Sequence, residues 1–125
     1  MSRVPRVPEE PAGLTTPTPL HVSVRWPSRD VAVLAVEGEL DLATANRLEA
    51  AFRRLVARRP RVVVVDLSGV AFLGSSGLAA ITSARTAGVV LRIVAPGSLA
   101  RIFTLTALDK VLDLYGSVEE ALAAG

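Results

Sequence analysis

Two adjacent serines, Ser75 and Ser76, are the side chains in this sequence best placed to do chemistry. They follow four valines at residues 62–65, which predict a strand buried on both faces, and they precede an apolar pattern with helical spacing. Free backbone N–H groups and the helix dipole favour negative charge at a helix N-terminus. A hydroxyl placed there can carry a phosphate and be switched by it.

The same serines also have a purely structural interpretation. Serine is among the most favoured N-cap residues and stabilises a helix by about 1 kcal/mol relative to alanine. Gly77, directly after them, would then admit close packing of the helix. Asp41 has a similar ambiguity between a helix cap and an active loop residue. The local pattern alone favours the capping interpretation and leaves the phosphate switch open.

The enzymatic motifs that this region approaches are incomplete. Residues 69–76 have the glycine spacing of a phosphate-binding P-loop, but Ser75 stands where the required lysine belongs. The nucleophile motif G-x-S-x-G fails because Gly77 directly follows Ser76. The single histidine, His21, lies early on a predicted edge strand, and with no cysteine it leaves no metal-ligand set. We therefore expect no enzymatic activity, no metal and no cofactor.

Length and charge set limits on the class of protein. The 125 residues, half of them hydrophobic, suffice for one domain with a single core. The net charge is only +2, and arginine supplies 13 of the 14 basic side chains. Five arginines cluster late in the first predicted helix: Arg53, Arg54, Arg58, Arg59 and Arg61. Because no aromatic residues or nucleic-acid motif accompany them, we interpret them as a solvated helix end, with no direct nucleic-acid contact.

Targeting signals and membrane spans are not evident. The absence of cysteine removes disulfides and thiol catalysis from consideration. No apolar run approaches the roughly 20 residues that a bilayer span needs. The arginines near the N-terminus lack the apolar core of a signal peptide. A cytoplasmic protein without a membrane span is the default expectation.

The organisation of the chain predicts an α/β domain at residues 20–125 after a tail. Residues 1–19 hold five of the eight prolines and predict a disordered segment. Hydrophobic periodicity then predicts about five strands and about four helices in the order β-β-α-β-α-β-α-β-α. The elements are strands at 20–26 and 31–37, a helix from Asp41 or Thr44 to Pro60, a strand from Val62 and a loop after Asp66, a helix at 76–86 before Gly88, a strand at 89–94, a helix from Pro96, a strand at 111–115, and a helix with a capping box at 117–120.

This alternation predicts a mixed, mostly parallel sheet with right-handed crossovers. Functional sites in such sheets tend to lie beyond the carboxyl ends of the strands. Two loops fall at that edge, residues 38–41 and residues 74–77. We expect the two loops to form one site.

Three motifs together resemble a known family. They are Gly-Glu-Leu-Asp at residues 38–41, the D-L-S-x-V-x-F pattern at residues 66–72, and Ser-Ser-Gly-Leu at residues 75–78. In this order, separated by one amphipathic helix, they resemble the STAS domain of bacterial anti-sigma factor antagonists. The resemblance covers the chain from Leu20 to the C-terminus, and the predicted element order agrees with a STAS-like single domain. The resemblance favours the phosphate switch at the serines over the capping interpretation.

The resemblance implies a non-catalytic role in bacterial transcription control. The protein would bind an anti-sigma factor with serine-kinase activity and free its sigma factor. The kinase would phosphorylate Ser75, with Ser76 as a secondary acceptor, and a phosphatase would reverse this. The family commonly has an aspartate at the position of Gly74. Ser75 therefore lacks a preceding negative charge here, and we expect the kinase's preference for it to differ from that in the family. We expect the partner surface to comprise Glu39, Asp41, Thr44, Gly74, Ser75, Ser76 and Gly77. The main alternative is a STAS scaffold module of a signalling or transport assembly, in which the serines only cap the helix.

Overall fold

The computed structural model describes residues 20–124, which form a five-stranded sheet with helices on both faces. The strands are β1 (His21–Ser28), β2 (Val31–Leu40), β3 (Val62–Leu73), β4 (Val90–Val94) and β5 (Asp113–Tyr115). The helices are α1 (Ala45–Val56), α2 (Ser75–Ser83), α3 (Gly97–Leu105) and α4 (Val118–Ala123). The predicted α/β class and element order are confirmed. The predicted disordered tail at residues 1–19 lies outside the described residues.

The strands follow one another across the sheet in the order β1-β2-β3-β4-β5. β1 is antiparallel to β2, and every other neighbouring pair is parallel, which confirms the mixed, mostly parallel sheet. Helices α1, α2 and α3 each connect two neighbouring parallel strands. Right-handed crossovers therefore place all three on the same face, and α4 covers the other face against β3, β4 and β5.

The four valines of β3 explain how both faces are filled. Val63 and Val65 point into the larger core beneath α1, α2 and α3, and Val62 and Val64 pack with Ala121 of α4. Side chains alternate across a strand, so a strand covered on both sides needs apolar residues at successive positions. All four valines are buried, as the unbroken apolar run predicts.

The helices bury the faces that their apolar spacing predicts. Leu48, Phe52 and Leu55 of α1 are buried, as are Leu99 and Phe103 of α3. Among residues 20–124 there is no helix with the length and apolar character needed to cross a lipid bilayer.

Two strands are longer than the sequence indicates. β2 continues to Leu40 instead of ending at Glu37, and β3 continues to Leu73 instead of giving way to a loop at Asp66. The two extensions pair with each other, and two register shifts absorb the irregularity of the D-L-S-G segment. Gly38 lies next to one shift with a φ of 109°, which glycine adopts without steric cost. Strand pairing thus overrides a local turn signal.

The other boundaries differ by a few residues. The β1–β2 turn consists of Arg29 and Asp30 alone. α2 begins at Ser75, one residue early, and gives way to a 3-10 turn at Ala84–Ala87. Gly88 then has a left-handed φ of 81°, which confirms its predicted role as a C-terminal cap. β5 begins two residues late because a second 3-10 turn at Leu108–Lys110 precedes it.

Candidate functional site

The two predicted site loops meet at the carboxyl edge of the parallel strands. Leu40, the last residue of β2, lies opposite Leu73, the last residue of β3. The backbone N–H of Gly74 donates a hydrogen bond to the carbonyl oxygen of Leu40 at 2.9 Å. Asp41 and Ser75, which directly follow these two residues, are therefore neighbours. The structure brings both loops together, as the topology predicts.

The loop that carries Asp41 is held by its own hydrogen bonds. The Asp41 Oδ1 atom accepts from the N–H of Ala43 at 3.0 Å and from the N–H of Thr44 at 3.2 Å. The Thr44 hydroxyl donates to the carbonyl oxygen of Glu39 at 2.7 Å and accepts from the N–H of Asp41 at 3.0 Å. These bonds fix the direction in which the half-buried Asp41 carboxylate leaves the sheet.

The expectation that Asp41 or Thr44 caps α1 through its side chain is wrong. Thr44 occupies the N-cap position, but no side chain accepts a hydrogen bond from the first turn of α1. The hydroxyl of Thr44 bonds backwards to Glu39 and Asp41 instead. The side chains of the loop therefore order the turn before the helix and do not cap the helix itself.

The interpretation of the serines as helix caps is also wrong. The N-cap of α2 is Gly74, so Ser75 and Ser76 are the first and second helical residues, and no side chain caps this helix. Neither serine hydroxyl makes a hydrogen bond with any residue between 20 and 124. Ser75 is exposed and Ser76 is half-buried. The Ser75 hydroxyl is thus exposed and has no hydrogen bond to residues 20–124 that phosphorylation would break.

Gly77 holds the start of α2 close to the sheet. A Cβ atom at this position would lie 2.9 Å from the Cγ atom and the carbonyl oxygen of Leu40 and 2.9 Å from the Cδ1 atom of Leu73. Carbon atoms do not approach a backbone oxygen that closely without a shift of the chain. Glycine therefore permits α2 to start directly against the ends of β2 and β3, which confirms the predicted close packing.

Two exposed apolar side chains flank the site, and the sequence reasoning did not identify them. Leu42, directly after Asp41, is 84% exposed, and Phe72, two residues before Gly74, is 52% exposed. The sequence does indicate that Leu42 is exposed, because it lies six residues before Leu48 and so falls off the buried stripe of α1. Phe72 lies at the irregular end of β3, where Ala71 and Phe72 are both exposed between the buried Val70 and Leu73, so strand alternation does not predict its exposure.

The site offers no phosphate cradle or metal-ligand set. Residues 69–73 belong to β3, so the segment that resembles a P-loop does not wrap around a phosphate. His21 is exposed on β1, the edge strand. No group of three or more histidine, aspartate or glutamate side chains within residues 20–124 could hold a metal ion.

The comparison with known families gives a clear assignment. The family described as STAS domain matches residues 27–121, which is most of the chain. The chain belongs to the STAS domain family. The match spans both site loops, and it confirms the resemblance that the three sequence motifs indicate.

Relatives of this STAS domain are anti-sigma factor antagonists. The anti-sigma-F factor antagonist RsfB of Mycobacterium tuberculosis is 44% identical over 96 residues, which cover 74% of this chain and 79% of that protein. The crystal structure of an anti-sigma factor antagonist from Mycobacterium paratuberculosis is 36% identical, with a TM-score of 0.80 over 89% of this chain and 97% of that one. The antagonist SpoIIAA in its unphosphorylated form shares the fold, with 15% identity and a TM-score of 0.65 over 82% of this chain and 93% of that one.

Proposed function

We propose that this STAS domain binds an anti-sigma factor with serine-kinase activity and thereby frees the sigma factor that the kinase holds. Phosphorylation of Ser75 by the kinase ends the binding, and a phosphatase restores it. The observation that carries the proposal is the exposed Ser75 hydroxyl at the start of α2, which has no hydrogen-bond partner among the described residues. The relationship to anti-sigma factor antagonists supports it.

The partner surface combines a polar centre with two apolar flanks. The polar centre is formed by Glu39, Asp41, Thr44, Gly74, Ser75 and Ser76. Gly77, the seventh predicted residue, is buried against Leu40 and Leu73, so it positions the serines and does not face the partner. Leu42 and Phe72 lie beside the polar centre and offer apolar area that a partner can remove from water. The apolar flanks supply affinity, and the fixed loop of Asp41 supplies orientation.

The phosphate acts on the complex more than on the fold. It adds roughly −1.5 to −2 charges, which the dipole at the N-terminus of α2 tolerates. In the complex the same phosphate would be desolvated by the partner on the side of the sheet where the loop of Asp41 also lies, and carboxylates there would repel it. A penalty of about 3 kcal/mol weakens binding more than a hundredfold. The switch therefore requires almost no change of shape.

Accessibility favours Ser75 over Ser76 as the acceptor. A kinase must enclose the accepting hydroxyl, and Ser75 is exposed whereas Ser76 is half-buried. Gly74, where the family commonly has aspartate, removes one negative charge before the acceptor. This lowers the charge density around the phosphate and leaves the helix start intact.

The alternative of a scaffold module loses its main structural support. That alternative gives the serines no role except to cap α2. The N-cap is Gly74, and neither hydroxyl bonds to the helix. A role outside the fold accounts for two polar side chains at this position better than a role within it.

The proposal is tested with purified candidate anti-sigma kinases and ATP. Mass spectrometry of the tryptic peptide of residues 62–85 should show one phosphate on Ser75 and none after Ser75→Ala. Ser75→Asp should weaken kinase binding at least about tenfold, measured by calorimetry. The matched control is Ser117→Asp, which keeps a capping side chain at the start of α4, on the opposite face of the sheet. Equal binding by both variants would contradict the proposal.

A further inference from the structure

The arginines that cluster in the sequence do not share one surface. Arg61 forms an ion pair with Asp30 at 3.0 Å, and this hydrogen bond lowers the pKa of the Asp30 carboxyl. Arg53 lines a cavity between α1 and α2. A different set, at spacings of seven and four residues, turns towards the edge strand β1: Arg47, Arg54 and Arg58. Arg47 and Arg54 lie on one face of α1. Arg58 lies in the turn just after the helix and lines the same cavity as Arg54, so the three form a continuous stripe.

The stripe forms one wall of an open groove between α1 and β1. Val22, Val24 and Trp26 of β1 form the floor, and we name these six residues together the arginine groove. Two adjoining cavities of about 450 and 210 Å³ make up the groove, and both are lined by Val22, Ala51 and Arg54. Val24 is 44% exposed, so the apolar floor is only partly covered.

No carboxylate of the described residues matches the positive charge of the groove. Among residues 20–124, neither aspartate nor glutamate lines either cavity. Within residues 20–124, the three arginines form no ion pair with a carboxylate. The guanidinium of Arg58 lies 5.1 Å from the ring centroid of Trp26, which orients it along the floor. The groove thus presents an apolar strip beside three cations, a pattern that fits a ligand with one apolar and one acidic face.

The position of the groove points to a helix as the ligand. Helices α1, α2 and α3 form a layer over this face of the sheet, and the space above β1 continues that layer beyond α1. We propose that the arginine groove binds an acidic amphipathic helix of a partner protein. This helix would pack beside α1, with its apolar side chains on the floor and its carboxylates against the arginines.

The dimensions agree with a helix of about three turns. From Arg47 to Val56, the end of α1, the helix extends about 14 Å at 1.5 Å per residue, and Arg58 follows in the next turn. From Val22 to Trp26 the floor extends about 13 Å at 3.3 Å per residue. Carboxylates at positions i, i+7 and i+11 of the ligand helix would face the three arginines in turn. A strand added to the edge of β1 would leave the arginines of α1 out of reach.

Other occupants fit less well. In residues 1–19, two arginines balance two glutamates, so this segment does not supply the net negative charge that would match three arginines. In a second copy of the chain, the described helices bury their apolar faces against the sheet, and α3 exposes only the single large apolar side chain Leu105. Nucleic acid would pair with the arginines but leave the valines and Trp26 uncovered.

The proposal is independent of the switch at Ser75, and a synthetic peptide tests it. The probe is a blocked amphipathic helical peptide with leucines on one face and glutamates at i, i+7 and i+11. Trp26 is the single tryptophan of the chain, so its fluorescence reports binding at this groove. The triple variant Arg47→Gln, Arg54→Gln, Arg58→Gln should bind about tenfold more weakly by calorimetry. The control Arg29→Gln, Arg85→Gln, Arg101→Gln removes the same charge from exposed positions outside the groove and should bind like the wild type.

A second measurement keeps the test decisive if the triple variant folds poorly. The peptide with its three glutamates replaced by glutamine should bind the wild-type chain about tenfold more weakly and lose the dependence on salt. Equal binding of both peptides, or equal loss in both triple variants, would overturn the proposal. So would tighter binding of a DNA duplex than of the acidic peptide, or dimers that exclude the peptide.

Discussion

Helix α2 begins at a serine and helix α4 begins directly after one, but only α4 uses the hydroxyl as a cap. At α4, the Ser117 hydroxyl accepts the N–H of Glu120 at 3.1 Å, and the Glu120 carboxylate accepts the N–H of Gly116 at 3.1 Å. At α2, Gly74 is the N-cap, and the hydroxyls of Ser75 and Ser76 bond to no described residue. The same residue type therefore has a structural role in one place and none in the other.

The difference follows from what else holds each helix. α4 has only six residues and is too short to persist without its cap and its contact with the sheet. α2 is fixed by the close approach of Gly77 to Leu40 and by the bond from Gly74 to the same residue. Because packing secures the start of α2, its serines are free for another role.

Gly77→Ala should have the largest effect on stability among the tests of this comparison. The added Cβ would lie 2.9 Å from the backbone oxygen of Leu40, which cannot move as a side chain can. We expect a net loss of about 1–2 kcal/mol in urea unfolding, since overpacking outweighs the higher helix propensity of alanine. The control is Gly97→Ala at the start of α3, where a Cβ would meet nothing within 4 Å. If both variants are equally stable, packing does not secure α2.

Ser117→Ala should have the second largest effect. It removes the acceptor for the N–H of Glu120 and should lower the free energy of unfolding by about 1 kcal/mol. Urea denaturation measures the loss, and Ser117→Asp should restore most of it because aspartate also caps helices. An unchanged midpoint for Ser117→Ala would mean that the cap of α4 contributes nothing.

The sequence contains a signal that separates the two serine sites. Ser117 has a glutamate three residues later, the pattern of a capping box. The structure confirms the Ser117 cap, while the Glu120 carboxylate accepts from the N–H of Gly116 and not from that of Ser117. Three residues after Ser75 and Ser76 stand Leu78 and Ala79, which cannot reach back to the backbone. The sequence therefore favours a cap at Ser117 over one at Ser75 or Ser76, although the general N-cap propensity of serine does not distinguish them.

Hydrophobic periodicity within one segment predicts where strands and helices lie, but it does not predict how far two paired strands extend. The valines of β3 and the stripe of α1 depend on periodicity within one segment, and both were correct. The extensions of β2 to Leu40 and of β3 to Leu73 arise only because the two segments pair across an irregular register. No property of either segment alone contains that information. The exposure of Phe72 likewise depends on the irregular end of β3, and the bond from Gly74 to Leu40 brings the loop that carries Leu42 to the start of α2 only in the fold.

Gly74→Asp should stabilise the fold slightly, whereas the two preceding substitutions destabilise it. Gly74 has φ −92° and ψ 178°, an extended N-cap conformation that aspartate adopts readily. Its Cβ would lie 3.2 Å from the ring edge of Phe72, a half-exposed side chain that can turn away. We expect a gain of a few tenths of a kcal/mol in urea unfolding as α2 acquires a side-chain cap. A loss of stability would show that Phe72 is fixed in place.

Ser75→Ala should have the smallest effect on the fold, and it tests the comparison most directly. The hydroxyl is exposed and bonds to no described residue, so its removal should change the free energy of unfolding by less than about 0.5 kcal/mol. The same substitution at Ser117 removes a cap, and the difference between the two variants measures how differently the two helix starts use serine. If Ser75→Ala is as destabilising as Ser117→Ala, the Ser75 hydroxyl is structural, and the basis for a phosphate switch at α2 is lost.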